Sequence, residues 1–301
     1  SHGARLWLQL GHAGALTPPE IGTPKGPSAI DLPELRAAEL TLREIRALPD
    51  QFAKTARHAE RVGFSGVQIH AAHGFLLSQF LSPLFNRRTD AYGGDIGNRM
   101  RLLLEVVEAV RGSVSRSVVV ALKLNSSDQL EDGLEPAESL AAIEALDGRG
   151  LDLIDISGGT YFPGAPSMSD RASRGPYFLD YAAEARRVTG IPLMATGGFK
   201  RRAEAEAAIA GGVVDLIGLA RALVLDPELP RHWQAAGPNP TFPSFEAAAP
   251  GGVTAWFTMR LTELGEDREG EGEIDLPAAL QAYHARDEQR IPLWNKAFLG
   301  D

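Results

Sequence analysis

The sequence predicts a parallel α/β barrel followed by a helical tail. Three observations point there. Short runs rich in Val, Ile and Leu recur along the chain, and helical patterns separate them. The last two runs begin only about 23 residues apart, a spacing suited to one tight unit of a barrel wall. At 301 residues, the chain can bury a core of that size.

The elements follow in order. Residues 6–10, 66–70, 118–124, 151–157, 192–196 and 215–220 are the apolar runs, and they read as strands buried on both faces. Phe52, Ala56, Ala59 and Val62 recur at helical spacing before Gly63, and Met100, Leu103, Leu104, Val107 and Val110 do so before Gly112. Leu140, Ile143 and Leu146 mark a third helix with Pro136 near its start, as capping preferences favour. Residues 180–187 and 201–210 complete two more, the last closed by Gly211 and Gly212. Strand then helix, repeated, gives right-handed βαβ units. From Gly237 the texture changes to Pro- and Gly-rich loops, a helix over about 253–264, an acidic loop at 266–275 and a last helix over about 277–285. Ile291, Leu293, Trp294 and Phe298 beyond it suggest a tail docked on the barrel. The division expected is therefore a barrel domain over 1–236 and an extension over 237–301.

Composition excludes several function classes. A net charge of -9, without any basic tract, argues against nucleic-acid and anionic-membrane binding. Residues 263–275 concentrate that acidity. The chain has no cysteine, which removes disulfides, thiolate nucleophiles and cysteine metal sites. No apolar run is long enough to span a membrane, and residues 1–5 do not read as a signal peptide, so a cytoplasmic setting is expected.

Ligands of α/β barrels bind at the C-terminal ends of the strands, so polar residues there are the candidates. His70 ends the second run, with His73 three residues on; two imidazoles can donate to one carbonyl or phenolate oxygen. A packing role for one of them is the plain alternative, and a metal site would need a third ligand such as His12. Gln9 lies within the first run and needs partners for its amide, from a polar ring edge or from backbone. Lys123 sits in an apolar strand, facing an anion, an electron-rich ring or a Schiff-base partner, or snorkelling. Gly197-Gly198 and Gly218, with Arg221, fall in the last two loops, where a phosphate of a flavin or a sugar could bind.

The stretch from His70-Ala71-Ala72-His73-Gly74-Phe75 through Asn86-Arg87-Arg88-Thr89-Asp90 and Tyr92-Gly93-Gly94 to Asn98-Arg99 resembles the old yellow enzyme family of FMN-dependent ene reductases. Lys123-Leu124-Asn125-Ser126, Ser157-Gly158-Gly159-Thr160, Thr196-Gly197-Gly198-Phe199 and Gly218-Leu219-Ala220-Arg221 are similar to it in the same order, so the likeness covers about residues 6–230. The resemblance implies a TIM barrel holding FMN, reduced by NADH or NADPH, that passes hydride to the β-carbon of an activated alkene. It assigns Gln9 and Lys123 to the flavin pyrimidine edge, and Gly197, Gly198, Gly218 and Arg221 to the FMN phosphate region. His70 and His73 would bind the oxygen of a small-molecule substrate.

Three departures qualify that expectation. Phe75 stands where the family has a tyrosine proton donor, and it cannot donate. Ala15 replaces an arginine after His12-Ala13-Gly14. Six strands are read where the family barrel has eight, two βα units normally preceding the strand with Gln9. The barrel is thus expected to be incomplete: a fragment, a variant, or a chain completed by another polypeptide or a further copy. A non-catalytic chain dependent on a partner, and a sugar-phosphate lyase or isomerase using Lys123, stay as alternatives.

Overall fold

Apolar residues at every second position pull six strands into one parallel sheet. The computed structural model describes residues 3–162, 175–245, 249, 251–268 and 274–299. In chain order, the elements begin with strand β1 (Trp7–Leu10), a 3-10 turn at Gly14–Leu16, and strands β2 (Lys25–Gly26), β3 (Ile30–Leu32) and β4 (Leu35–Glu39). Helix α1 (Leu42–Arg61), β5 (Gly66–Ala71), α2 (Leu76–Leu81), α3 (Ile96–Arg99) and α4 (Arg101–Ser113) follow. Then come β6 (Val119–Asn125), α5 (Pro136–Leu146), β7 (Leu153–Ser157), α6 (Leu179–Ala185), β8 (Leu193–Thr196), α7 (Arg202–Ala210) and β9 (Leu216–Gly218). Helices α8 (Arg221–Leu225), α9 (Leu229–Gln234), α10 (Gly252–Gly265) and α11 (Leu276–Phe298) end the chain.

The sheet order is β1-β5-β6-β7-β8-β9, every pair parallel. Strands β2, β3 and β4 pair in a separate sheet; within this one each strand lies beside the next in chain order, and the order never reverses. A doubly wound sheet would show a switch point; this order is the winding of a TIM barrel, with six of its eight strands among the described residues.

One face of the sheet is apolar. Val67, Ile69 and Ala71 alternate with Val120, Leu122, Leu124, Ile154, Ile156, Leu193 and Ala195, and all are buried. Each large side chain there contributes about 1.5–3 kcal/mol on leaving water. Helix α1 lies against β1 and β5 and packs with α4. Its start is fixed by a capping box: Glu44 N–H donates to Thr41 Oγ1 (3.3 Å), and Thr41 N–H donates to Glu44 Oε2 (2.8 Å).

The other face meets the expectation of strands buried on both sides at the centre, where His70, Lys123, Asn125, Asp155 and Ser157 are buried, and departs from it at the edges. It is polar, and Gln9 on β1 and Leu216 on β9 are exposed. The reason is that β1 and β9 each have one hydrogen-bonded neighbour among the described strands, so nothing in the sheet covers their outer rims.

A small sheet of order β2-β4-β3 was not foreseen, because its strands are short and their burial is irregular. Ala15, Ile30, Ala37, Phe85 and Phe162 form the core beneath it, with the Phe85 and Phe162 rings stacked at 3.7 Å. Buried Arg88 donates to the carbonyls of Pro27 and Leu40, each at 2.8 Å, and so pins both ends of the segment.

The chain divides into two units. The first contains the described residues of 1–167, 176–197 and 206–218, including both sheets; the second contains those of 168–175, 198–205 and 219–301. In the second, α10 and α11 pack together and Trp256 Nε1 donates to Ile274 O (2.8 Å). Helix α11 is longer than the expected 277–285. Pro292 lacks one N–H donor, yet the helix continues through it to Phe298, and Leu293, Trp294 and Phe298 are exposed. Of the acidic stretch 263–275, residues 269–273 lie outside the described residues, as does Pro250 of the preceding loop. No helix among the described residues is long and apolar enough to cross a membrane.

Candidate active site

The polar face of the sheet gathers side chains from adjacent strands. Gln68 and His70 alternate along β5, Lys123 and Asn125 along β6, Asp155 and Ser157 along β7, with Thr196 at the end of β8. Strand register sets Gln9 opposite Gln68, His70 opposite Lys123, and Lys123 opposite Asp155.

Hydrogen bonds join these groups into a ladder. Gln9 Nε2 donates to Gln68 Oε1 (2.7 Å), and Gln68 Nε2 donates to Asp155 Oδ2 (3.1 Å). Thr196 Oγ1 donates to Asp155 Oδ1 (2.7 Å), and Lys123 Nζ forms an ion pair with the same carboxylate. Asp155 is only 2% exposed and Lys123 9%, so each charge neutralises the other where solvent cannot. Paired in this way, the lysine is a cation and a donor rather than the free amine that Schiff-base chemistry uses.

The two histidines form a second chain. His70 Nε2 lies 3.1 Å from His73 Nδ1, and His73 Nε2 lies 2.8 Å from Ser157 Oγ. Burial, then the Lys123 charge, holds the His70 imidazole down to about 4. Burial, then His70 and Lys123, holds His73 down to about 3. Both rings are therefore neutral near pH 7, each offering one donor and one acceptor nitrogen. His70 Nδ1 is buried without a hydrogen-bond partner among the described residues. A buried polar atom of that kind is what a bound ligand would satisfy.

The loop that carries His73 is held in a costly conformation. His73 has φ 62°, in the left-handed region that side chains avoid, and Gly74 follows at φ 77°. Asn125, fully buried, pays for part of this by accepting the His73 N–H on Oδ1 (3.1 Å) and donating from Nδ2 to Gly159 O (2.7 Å). Gln79, also fully buried, donates from Nε2 to Gly74 O (2.7 Å) and Ala13 O (3.1 Å), and accepts Ala15 N–H on Oε1 (3.1 Å). It ties the loop after β1 to the loop after β5.

The other sequence candidates fall as follows. The Phe75 ring centre lies 4.9 Å from that of His70, edge to face. His12 Nδ1 accepts the Gly14 N–H (3.0 Å), so that ring caps its own loop. Ala15, where the resemblance expects arginine, is fully buried in the apolar core under the small sheet. At Gly197 a Cβ would meet Phe178 at 3.2 Å, and at Gly218 it would meet Thr196 Oγ1 at 1.8 Å. Close packing accounts for glycine at 218, and a φ of 134° together with that tight approach accounts for it at 197. Gly198 and Arg221 belong to the second unit, where the Arg221 guanidinium sits 5.4 Å from the centre of the Phe257 ring.

Sequence reasoning missed Gln68, Asn125, Asp155, Ser157 and Thr196 as site groups. The available signal was a polar residue at every second position of an otherwise apolar run.

Residues 1–238 match the NADH:flavin oxidoreductase / NADH oxidase family. The chain belongs to that family. Within it, the NADH-dependent flavin oxidoreductase iliE of Neonectria sp. is 40% identical over 74% of this chain, which spans 29% of that protein. An NADPH dehydrogenase of Geobacillus thermodenitrificans is 36% identical over 76% of this chain, and this chain spans 66% of it. The structure of an old yellow enzyme homologue from Zymomonas mobilis superposes with a TM-score of 0.66 at 30% identity, covering 79% of this chain and 68% of that one. The old yellow enzyme resemblance read from the sequence and the TIM-barrel winding are thus both borne out, and the cofactors of the family are FMN and NADH or NADPH.

The polar face suits a flavin ring edge. Lys123 supplies a cationic donor, while the Gln9 carboxamide keeps its oxygen and one N–H beyond the bond to Gln68. A pyrimidine edge offers the complementary acceptors and one N–H.

Proposed function

We propose that this chain is an FMN-dependent oxidoreductase, reduced by NADH or NADPH, that delivers hydride to an alkene conjugated with a carbonyl. The observation that carries the reading is the pairing of β5 with β6, which sets His70 opposite Lys123 on the polar face. A cationic donor for a flavin edge and two imidazoles for a substrate oxygen then share one end of the sheet. FMN, when bound, supplies the hydride chemistry. Lys123 and Gln9 orient its ring edge. His70 and His73 hold the carbonyl oxygen and polarise the alkene. The phosphate roles of Gly197, Gly198, Gly218 and Arg221 rest on the sequence resemblance. So does the division of labour in which residues 1–236 hold the flavin and 237–301 form an extension.

An absorption spectrum of the purified protein tests this reading. Yellow protein, bleached anaerobically by NADH or NADPH and recoloured by an enone, is the expected result. Colourless protein that takes up no FMN would sink it.

A second reading is favoured by the sheet rims. Among the described residues, β1 pairs only with β5 and β9 only with β8, and Leu6 and Leu216 beside them are exposed. A complementing chain or a second copy would cover such edges and make catalysis depend on assembly. Sedimentation of a stable monomer that turns over enone would count against it.

A further inference from the structure

Hydride addition to the β-carbon of an enone leaves negative charge shared between oxygen and the α-carbon. A neutral product needs a proton at that α-carbon, delivered by a positioned acid or by water. Resting on the function proposed above, the question becomes which side chain beside the histidine pair holds such a proton.

Most of the neighbours are committed. His70 and His73 are hydrogen-bonded to each other, and His73 also to Ser157. Lys123 is paired with Asp155. Phe75 has no acidic hydrogen. Tyr161 is different. Its ring centre lies 5.7 Å from that of His73, edge to face, and 5.9 Å from that of Phe75.

The backbone, rather than packing alone, puts Tyr161 there. Its N–H donates to His73 O (3.0 Å), and the preceding residue, Thr160, pairs with His73 as a parallel β-bridge. One residue further back, Gly159 O accepts from Asn125, the side chain that also holds the His73 N–H. The two loops are therefore fastened at neighbouring points, and Tyr161 is registered to His73. The residue is 65% exposed, so the side chain meets water while its ring packs with His73 and Phe75.

We propose that the Tyr161 phenol is the proton donor to the substrate's α-carbon. The phenolic O–H bond breaks and an α-carbon C–H bond forms, while the two electrons of the reduction come from NADH or NADPH by way of the flavin. The phenolate then regains a proton from solvent. The tyrosine thereby supplies from the loop after β7 what Phe75 cannot supply from the loop after β5.

The test compares the holoenzyme with Tyr161→Phe, which keeps the ring and its packing but removes the hydroxyl. Anaerobic bleaching by NADPH or NADH reads the step that moves no proton through Tyr161, and it should still proceed in the variant. Recolouring by cyclohexenone should slow by about 100-fold or more, the usual contribution of a positioned general acid. Run in heavy water with a 2-methyl enone, the wild type should place deuterium on one face of the α-carbon and the variant on both. A third reading is free of turnover: with ζ-13C-tyrosine, the signal missing from the variant spectrum should shift when cyclohexenone is added to the oxidised protein. Bleaching retained with recolouring and deuterium placement unchanged in Tyr161→Phe overturns the assignment of Tyr161 alone. A wild-type protein that neither holds FMN nor bleaches overturns the assignment and the proposed function together.

Discussion

His70 Nε2 and His73 Nδ1 lie 3.1 Å apart, so one proton bridges the two rings and only one of them donates at that contact. A substrate oxygen that accepts from either facing nitrogen has to replace this bond. The gain on binding is then a difference between two hydrogen bonds rather than a full one. His70→Ala and His73→Ala should each weaken the binding of a phenol to the oxidised protein, by about 1–3 kcal/mol if the bound form is phenolate. Titration of the flavin absorbance by the phenol measures it. Unchanged affinity in both variants would remove the pair from the substrate site.

The same burial makes the fold sensitive to acid. The native histidines titrate at about 4 and about 3, below the 6.5 of an unperturbed imidazole. As pH falls below 6.5, the unfolded chain therefore binds protons that the native chain refuses, and stability declines toward the native values. Above 6.5 these two groups contribute no slope. Urea unfolding midpoints should fall from about pH 6.5 to about pH 5, a window above most carboxylates. The His70→Gln, His73→Gln double variant should be flatter across it. An equal slope in both proteins would show that the rings are not buried neutral.

Much of this was legible in the sequence, for reasons that particular residues make plain. The six sheet strands were readable because Val67, Ile69, Val120, Leu122, Ile154 and Ile156 must leave water, and their runs say so without tertiary context. His70 and Lys123 stood out because a polar group in such a run demands an explanation. Asp155 escaped notice, though it answers Lys123, since the partner lies on the next strand and 32 residues away. The small β2-β4-β3 sheet was opaque because its strands are held by Arg88 and the Phe85–Phe162 stack, neither of which leaves a local pattern. Tyr161 was opaque for a similar reason: only the β-bridge to His73 gives a loop tyrosine its place.

The Lys123–Asp155 pair should be a strong point of stability because neither charge can retreat to water. Asp155→Asn keeps the shape and can still accept from Thr196, but it leaves the ammonium unbalanced. Removing one partner of a buried pair costs about 3–5 kcal/mol. Lys123→Met should cost a similar amount by stranding the carboxylate. The double variant removes both charges, so its loss should fall short of the sum of the two single losses by about 0.5–3 kcal/mol. Denaturant unfolding of the four proteins supplies the cycle. Strict additivity would mean that the two groups do not sense each other.

Gly74 offers the sharpest test of how the Tyr161 loop is held. Its φ of 77° is left-handed, and a Cβ there would meet Thr160 Oγ1 at 2.0 Å and Phe162 at 2.9 Å. Gly94 has a similar φ of 89°, but a Cβ there would meet nothing within 4 Å. Alanine at either position bears the left-handed backbone cost of about 1–2 kcal/mol. Only at position 74 must a neighbour also move, adding about 1–3 kcal/mol for overpacking. Thr160 and Phe162, the residues that would have to yield, flank Tyr161, and Thr160 is bridged to His73, so the displacement passes to Tyr161. Gly74→Ala should therefore lose more stability than Gly94→Ala. It should also shift the ζ-13C signal of Tyr161, which Gly94→Ala leaves in place. Equal losses in the two variants, with that signal unmoved in both, would mean that the loop after β5 does not set the position of the loop after β7.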